Sequence, residues 1–171
     1  VVLIREDCRL HDNPALHAAS EDHPWVVPLY VHGDDDPSPW PVRGAGLWWR
    51  HASLECFDSS LRLLGSRIVY RKGQLLEQVM DVLLATGATA LHLNLQLEPW
   101  HHTRDLELES TIAGSGIQVR SFTAMVMKFE PWEERRAKKD SRLDDEGPRL
   151  VQEPLPTVRK KLPAPPDGWP M

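Results

Sequence analysis

The junction in the first sixteen residues constrains the fold most. Val1-Val2-Leu3-Ile4 is continuous, largely β-branched and uncharged, which predicts a buried strand of a parallel sheet. It breaks into a charged turn, Arg5-Glu6-Asp7-Cys8-Arg9-Leu10-His11-Asp12, and then into Asn13-Pro14-Ala15-Leu16. Asn before Pro is a helix start: the amide oxygen accepts an orphan backbone N–H, and proline at the first helical position needs no donor. The charged cluster therefore falls where a first strand hands over to a first helix, at the carboxyl edge of a sheet. In open α/β folds that edge is where ligands bind.

The same alternation continues. Helix is predicted over Pro14 to Ser20, strand over Trp25 to Val31, and loop over His32 to Arg43. Leu47 to Leu64 reads as an amphipathic helix with Leu47, Leu54, Phe57, Leu61 and Leu64 on its apolar stripe, stopped by Gly65. Strand Arg67 to Tyr70, helix Gln74 to Ala85, strand Ala90 to Leu95, helix Pro99 to Ala113 and strand Ile117 to Phe122 complete the series. Strands and helices alternating through short Gly-bearing turns require parallel strands covered on both faces. The expected class is α/β: a Rossmann-like three-layer α/β/α sandwich with a five-stranded parallel sheet and an irregular C-terminal tail.

Past Phe122 the rhythm stops. Met125 to Phe129 is apolar enough to pack on the domain, Trp132 to Arg149 is a mixed-charge run, and eight of the 15 prolines lie in this last part. Such composition reads as a linker or wrapped tail. The division expected is a domain over 1–132 and a tail over 133–171. At 171 residues the chain can bury a real core, since a domain of this size hides roughly 68–70% of its unfolded surface. Two cysteines, Cys8 and Cys56, form no disulfide framework and suit a reducing, intracellular setting; nucleus, chloroplast and cytoplasm are equally compatible. The sequence has no apolar run near the roughly 20 residues of a membrane helix. It starts without Met, as a processed or trimmed chain would. The net charge of −5 argues against the chain wrapping nucleic acid by itself, because phosphate neutralisation supplies most of that affinity.

Several apparent motifs have plainer explanations. Gly44-Ala45-Gly46 starts a dinucleotide-type glycine pattern, but a Trp stands where the third glycine belongs. No Gly-x4-Gly-Lys-Ser/Thr loop occurs. His101-His102-Thr103-Arg104-Asp105 packs imidazoles and a carboxylate into one turn, yet adjacent helical residues diverge, so a polar helix face is expected rather than a metal site. Gly114-Ser115-Gly116 reads as a turn, because Ala113 stands two residues before Ser115 where a nucleophile elbow needs glycine. Cys8 beside Arg9 is a candidate for a lowered pKa, against the simpler reading of a small half-buried residue after a strand. Arg135-Arg136-Ala137-Lys138-Lys139 and Arg159-Lys160-Lys161 read as solvated linker charge. Of the adjacent Trp48 and Trp49, one is expected to face the core and the other to point outward, toward a ligand or a partner domain.

The turn Arg5-x-Asp7-x-Arg9-Leu10-His11-Asp12-Asn13-Pro14-Ala15-Leu16 resembles the opening of DNA photolyases and cryptochromes. The likeness continues in order. Trp48-Trp49 to Leu54 looks like the second-helix motif, and Leu64-Gly65-Ser66-Arg67-Ile68-Val69 to Gly73 like the third strand. Asn94-Leu95-Gln96-Leu97-Glu98-Pro99-Trp100, then Arg104-Asp105, resembles the Asn-x-x-x-Glu-Pro-Tyr/Trp turn, and Gly116-Ile117-x-Val119 with Phe122 the last strand. Resemblance spans about residues 1–132, and Leu155-Pro156 to Leu162-Pro163-Ala164-Pro165 looks like the inter-domain linker.

The resemblance implies the N-terminal α/β domain of a flavoprotein whose light-driven DNA repair or blue-light sensing resides in a helical FAD-binding domain. That domain would lie beyond Met171 as a partner in cis, leaving this chain without catalytic residues of its own. The role implied for the chain is binding an antenna chromophore (a deazaflavin, a folate or a flavin) or docking. The rival reading is a free-standing interaction or nucleotide-binding module with a protein partner. In deazaflavin-type relatives, pocket residues match Val31, His32 and Gly33, then Gly46, then Gln96, with His101 just beyond. Gly46 replaces an Arg and Gln96 an acid, which predicts an altered or empty pocket. Glu6, Cys8 and the Leu3-Ile4 pair also depart from the family, as does the mixed-charge run before the linker, which reads as deletion, alternative splicing or divergence.

Overall fold

The computed structural model describes residues 1–33 and 35–123, so the Met125–Phe129 segment expected to pack on the domain and the charged and proline-rich tail lie outside the described residues. Its elements are β1 (Val2–Ile4), α1 (Pro14–Asp22), β2 (Pro28–His32), α2 (Ala45–Leu63), β3 (Val69–Lys72), α3 (Leu75–Thr86), β4 (Ala90–Asn94), α4 (Pro99–Gly114) and β5 (Gln118–Phe122). The five strands form one parallel sheet in the order β3-β2-β1-β4-β5. Leu3 sits opposite Leu29 on one side and Leu93 on the other, so β1 is the central strand. This is the α/β sandwich expected from the alternation. Among the described residues no helix is long and apolar enough to cross a membrane.

Strand alternation splits the core into two layers. Val2, Ile4 and Tyr30 pack with Leu16 of α1 and Phe57 and Leu61 of α2. Leu3, Leu29, Leu91 and Leu93 face the other way, onto Val79 and Leu83 of α3 and Leu108 and Ile112 of α4. Fully burying each such side chain contributes roughly 1.5–3 kcal/mol before chain entropy is charged against it. Helix ends follow local chemistry: the Asn13 side chain accepts the Leu16 N–H at 3.1 Å, and Gly87 closes α3 in the left-handed region at φ 61°.

Three expectations are corrected. Trp25 lies outside β2 and is 63% exposed, so the sheet begins later than the apolar run suggests. Trp48 and Trp49 are both exposed, and Leu47 is also largely outside. The first turns of α2 lie beside the β1–α1 turn, with Gly46, Trp49 and Arg50 near Glu6 and Cys8. Finally, α4 is not simply a polar face: Asp105 is completely buried while His102, three residues earlier, is exposed.

Asp105 belongs to a polar lock across the carboxyl edge. The Arg5 guanidinium donates both to the Asp105 carboxylate and to the Asn94 carbonyl. Asp7 accepts the Arg5 backbone N–H at 2.8 Å through one oxygen and the Asn94 amide through the other. Asn94 also donates to Asn13 at 2.8 Å and accepts the Ala15 N–H at 3.1 Å. Chain breaks at strand and helix ends leave orphan backbone groups here, and these side chains satisfy them. Elsewhere on this face His92 of β4 is fully buried; burial first, then positive neighbours including His23 and Arg120, push its pKa down to about 4 and keep the ring neutral.

Cys8 is half-buried, and burial followed by the Asp7 charge pushes its thiol up to about 11, which overturns an activated thiol. Iodoacetamide at pH 8 is therefore expected to label exposed Cys56 while Cys8 reacts about a hundredfold more slowly until urea unfolds the chain; peptide mass mapping reads the difference. Asp105→Asn strands the buried Arg5 charge and is expected to cost about 3 kcal/mol or more in urea unfolding. Asp12→Asn, which breaks only the half-exposed pair with Arg9, is expected to cost under about 1 kcal/mol. Equal losses would show that the lock does not carry the edge.

Candidate functional site

Strand order reverses at β1: the chain leaves β1 into α1 on one face and leaves β4 into α4 on the other. A cleft opens over this switch point. Its enclosed volume is about 70 Å³, below the roughly 300–1,000 Å³ of typical small-molecule sites, so a ligand held here would extend out through the open mouth. Two further recesses beside it, of about 150 and 310 Å³, also reach Arg5 and Glu6, so the end of β1 is ringed by accessible space.

One wall is apolar, with Tyr30 and Val31 from β2 and Leu75 from the start of α3. Gly33 follows where the chain turns: a Cβ there would come within 2.7 Å of the Asp35 carboxylate, so a side chain could not be added without displacing that group. The other Asp35 oxygen accepts the Leu75 N–H at 3.1 Å, tying the loop to α3. Farther along the loop, Asp36 pairs with His101 at 3.2 Å, and the Trp40 ring meets Trp100 edge-on at 5.8 Å. Burial would raise the Asp36 pKa, but the Ser38 N–H and the His101 imidazole outweigh it and hold the carboxyl below its usual range.

The opposite wall is cationic. Arg104 of α4 donates to the Gln96 side-chain carbonyl at 3.2 Å, while its Nε is buried with no hydrogen-bond partner. Burial, and next the nearby Arg5 charge, lower the Arg104 pKa, which marks a place where an incoming anion would be favoured. Arg50 of α2 reaches the same cleft and lies 3.8 Å from Glu6. The cleft thus combines a flat apolar side with guanidinium and amide donors. That combination suits a planar ring system bearing carbonyl or anionic groups.

Of the residues singled out from the sequence, the structure brings Val31, Gly33, Gln96 and His101 to this cleft and leaves His32 outside it. His32 is exposed, on the opposite side of β2 from its neighbour Val31. Gly46 lines a neighbouring recess, where Val42 packs against it, rather than this cleft; Arg50, one helical turn later, supplies a cation to the cleft. Arg5 and Glu6 belong to the charged turn expected at the ligand edge, whereas Tyr30, Asp36, Arg50, Leu75 and Arg104 were not among the expected pocket residues. Helical period was the available signal for two of them: Arg104 is three residues beyond His101, and Arg50 four beyond Gly46.

Comparison with known proteins agrees with this architecture. The family model for DNA photolyase matches residues 1–143. Cryptochrome-1 of Arabidopsis thaliana is 34% identical over 134 residues, covering 78% of this chain and 19% of its own length. A deoxyribodipyrimidine photo-lyase of Agrobacterium fabrum is 35% identical over 127 residues, covering 74% of this chain and 26% of its own. The crystal structure of a bacterial class III photolyase from Agrobacterium tumefaciens superposes with a TM-score of 0.75 at 27% identity, over 99% of this chain and 35% of that one. The chain thus spans about a fifth to a quarter of these curated relatives. Its sheet order and its match over most of its length place it in the DNA photolyase family, to which this chain belongs as an N-terminal α/β domain.

Proposed function

We propose that the cleft at the end of β1 binds an antenna chromophore of the deazaflavin, folate or flavin class. The observation that carries this reading is the buried, unpartnered Arg104 Nε beside Gln96, facing the apolar side made by Val31 and Leu75. Arg104 and Arg50 would hold an anionic or carbonyl group of the chromophore. Gln96, its carbonyl engaged by Arg104, would offer its amide N–H groups, and Val31, Tyr30 and Leu75 would exclude water from the ring. Such a group, when bound, supplies absorption in the near-UV to blue and passes the excitation on. In the whole protein the acceptor would be FAD in a helical domain in cis, serving light-driven DNA repair or blue-light sensing. These residues bind and orient; chemistry on DNA is not assigned to them.

Exposed Trp48 and Trp49 support a second reading, in which the domain works as an interaction module and the aromatic pair meets a protein partner. Reconstitution separates the two. FAD, a methenyl-folate or a hydroxy-deazaflavin is expected to bind the 171-residue chain with a shifted absorption band and micromolar or tighter affinity. Arg104→Ala and Gln96→Leu are each expected to weaken that binding about tenfold, or about 1.4 kcal/mol, whereas His32→Ala leaves it unchanged. Failure of all three chromophores to bind the unmodified chain would overturn the antenna reading and favour the module.

A further inference from the structure

We propose that Asp22, His23 and His92 form a binding site for a borderline divalent cation, with zinc as the best match. They come from two distant parts of the chain. Asp22 is the last residue of α1, His23 caps that helix, and His92 lies in the middle of β4. Because α1 runs back over the sheet, its end comes down on β4 next to β5. One ligand atom from each residue lies within 4.8 Å of the others. Two imidazoles and a carboxylate are a donor set that zinc accepts, at roughly 2.0–2.2 Å per bond, with an open position left for water.

His92 supplies the independent observation. Its side chain is completely buried, yet neither ring nitrogen has a hydrogen-bond partner. Buried polar atoms are nearly always satisfied, so a pair of orphan nitrogens on one ring calls for an explanation. The ring's placement is determined by its neighbours: it stacks on Phe122 at 6.1 Å and meets His23 edge-on at 5.3 Å. Its Nε2 points toward Asp22 Oδ2 but stops at 3.7 Å, too far for a hydrogen bond. A cation between them would satisfy the nitrogen that the carboxylate does not reach.

Arg120 of β5 bonds Asp22 Oδ2, the same oxygen that faces His92, so a cation would share that oxygen with Arg120 or take Oδ1 after the carboxylate turns. Access is available from the amino edge of the sheet, where His23 lines an open recess with Trp25 and Val27. The site stands on the opposite end of α1 from the chromophore cleft, and neither proposal depends on the other.

The test is titration of the chelator-treated 171-residue chain with zinc by calorimetry and with cobalt by visible absorption. One ion per chain is expected, with micromolar or tighter affinity for zinc, a tetrahedral cobalt band and a rise in melting temperature with zinc concentration. His23→Ala and Asp22→Asn, both near the surface, should each weaken binding at least tenfold, while His102→Ala on the exposed side of α4 should not. Absence of a saturable site, or binding that survives His23→Ala unchanged, would overturn the proposal.

Discussion

The buried pairing of Arg5 with Asp105 organises the functional end of this domain. A charge in a sheet's interior is tolerated only when its partners are fixed, and here they come from three directions: the Asp105 carboxylate on α4, the Asn94 carbonyl at the end of β4, and Asp7 holding the Arg5 backbone. Asn94 and Asn13 extend the same lock to the start of α1. The two helical layers diverge above β1 and β4, and the lock joins them across that gap. An apolar plug would fill the space but leave the strand-end and helix-start backbone groups unsatisfied.

The cleft inherits its geometry from this arrangement. Arg5 is both a member of the lock and part of the cleft, so the floor of the site is as rigid as the edge it closes. Around that floor stand residues from otherwise unrelated elements: Val31 from β2, Arg50 from α2, Gln96 after β4, and His101 and Arg104 on α4. Rigid support beneath a few convergent donors and an apolar side is what orients a planar ligand. Helix α1 connects the two ends of the domain. Its first turn is bonded into the lock, and its last residue and cap meet His92 at the opposite end of the helix.

Sequence reasoning went far where chemistry is local. The alternation of apolar runs with helical stripes, the Asn13-Pro14 start and the Gly87 stop each depend on residues a few positions apart, and the helices and sheet class follow from them. Boundaries were looser at Trp25 and at the start of α2, because an apolar or aromatic residue marks burial only if another element lies over it. Trp48 and Trp49 show the limit: their pattern is that of a core helix, yet both side chains are exposed.

By itself the sequence determined the order of strands and helices, the parallel class and the family-like turns, since period, capping and glycine placement act within short stretches. Only the tertiary structure decided that Asp105 is a buried counter-ion, that Arg50 brings a cation to the side where Gly46 has none, and that His92 lies beside Asp22 and His23. Those outcomes depend on helices crossing a sheet with a reversed strand order, which brings together residues tens of positions apart. A one-dimensional pattern records which side a residue takes on its own element; which residue it meets there depends on how the elements pack.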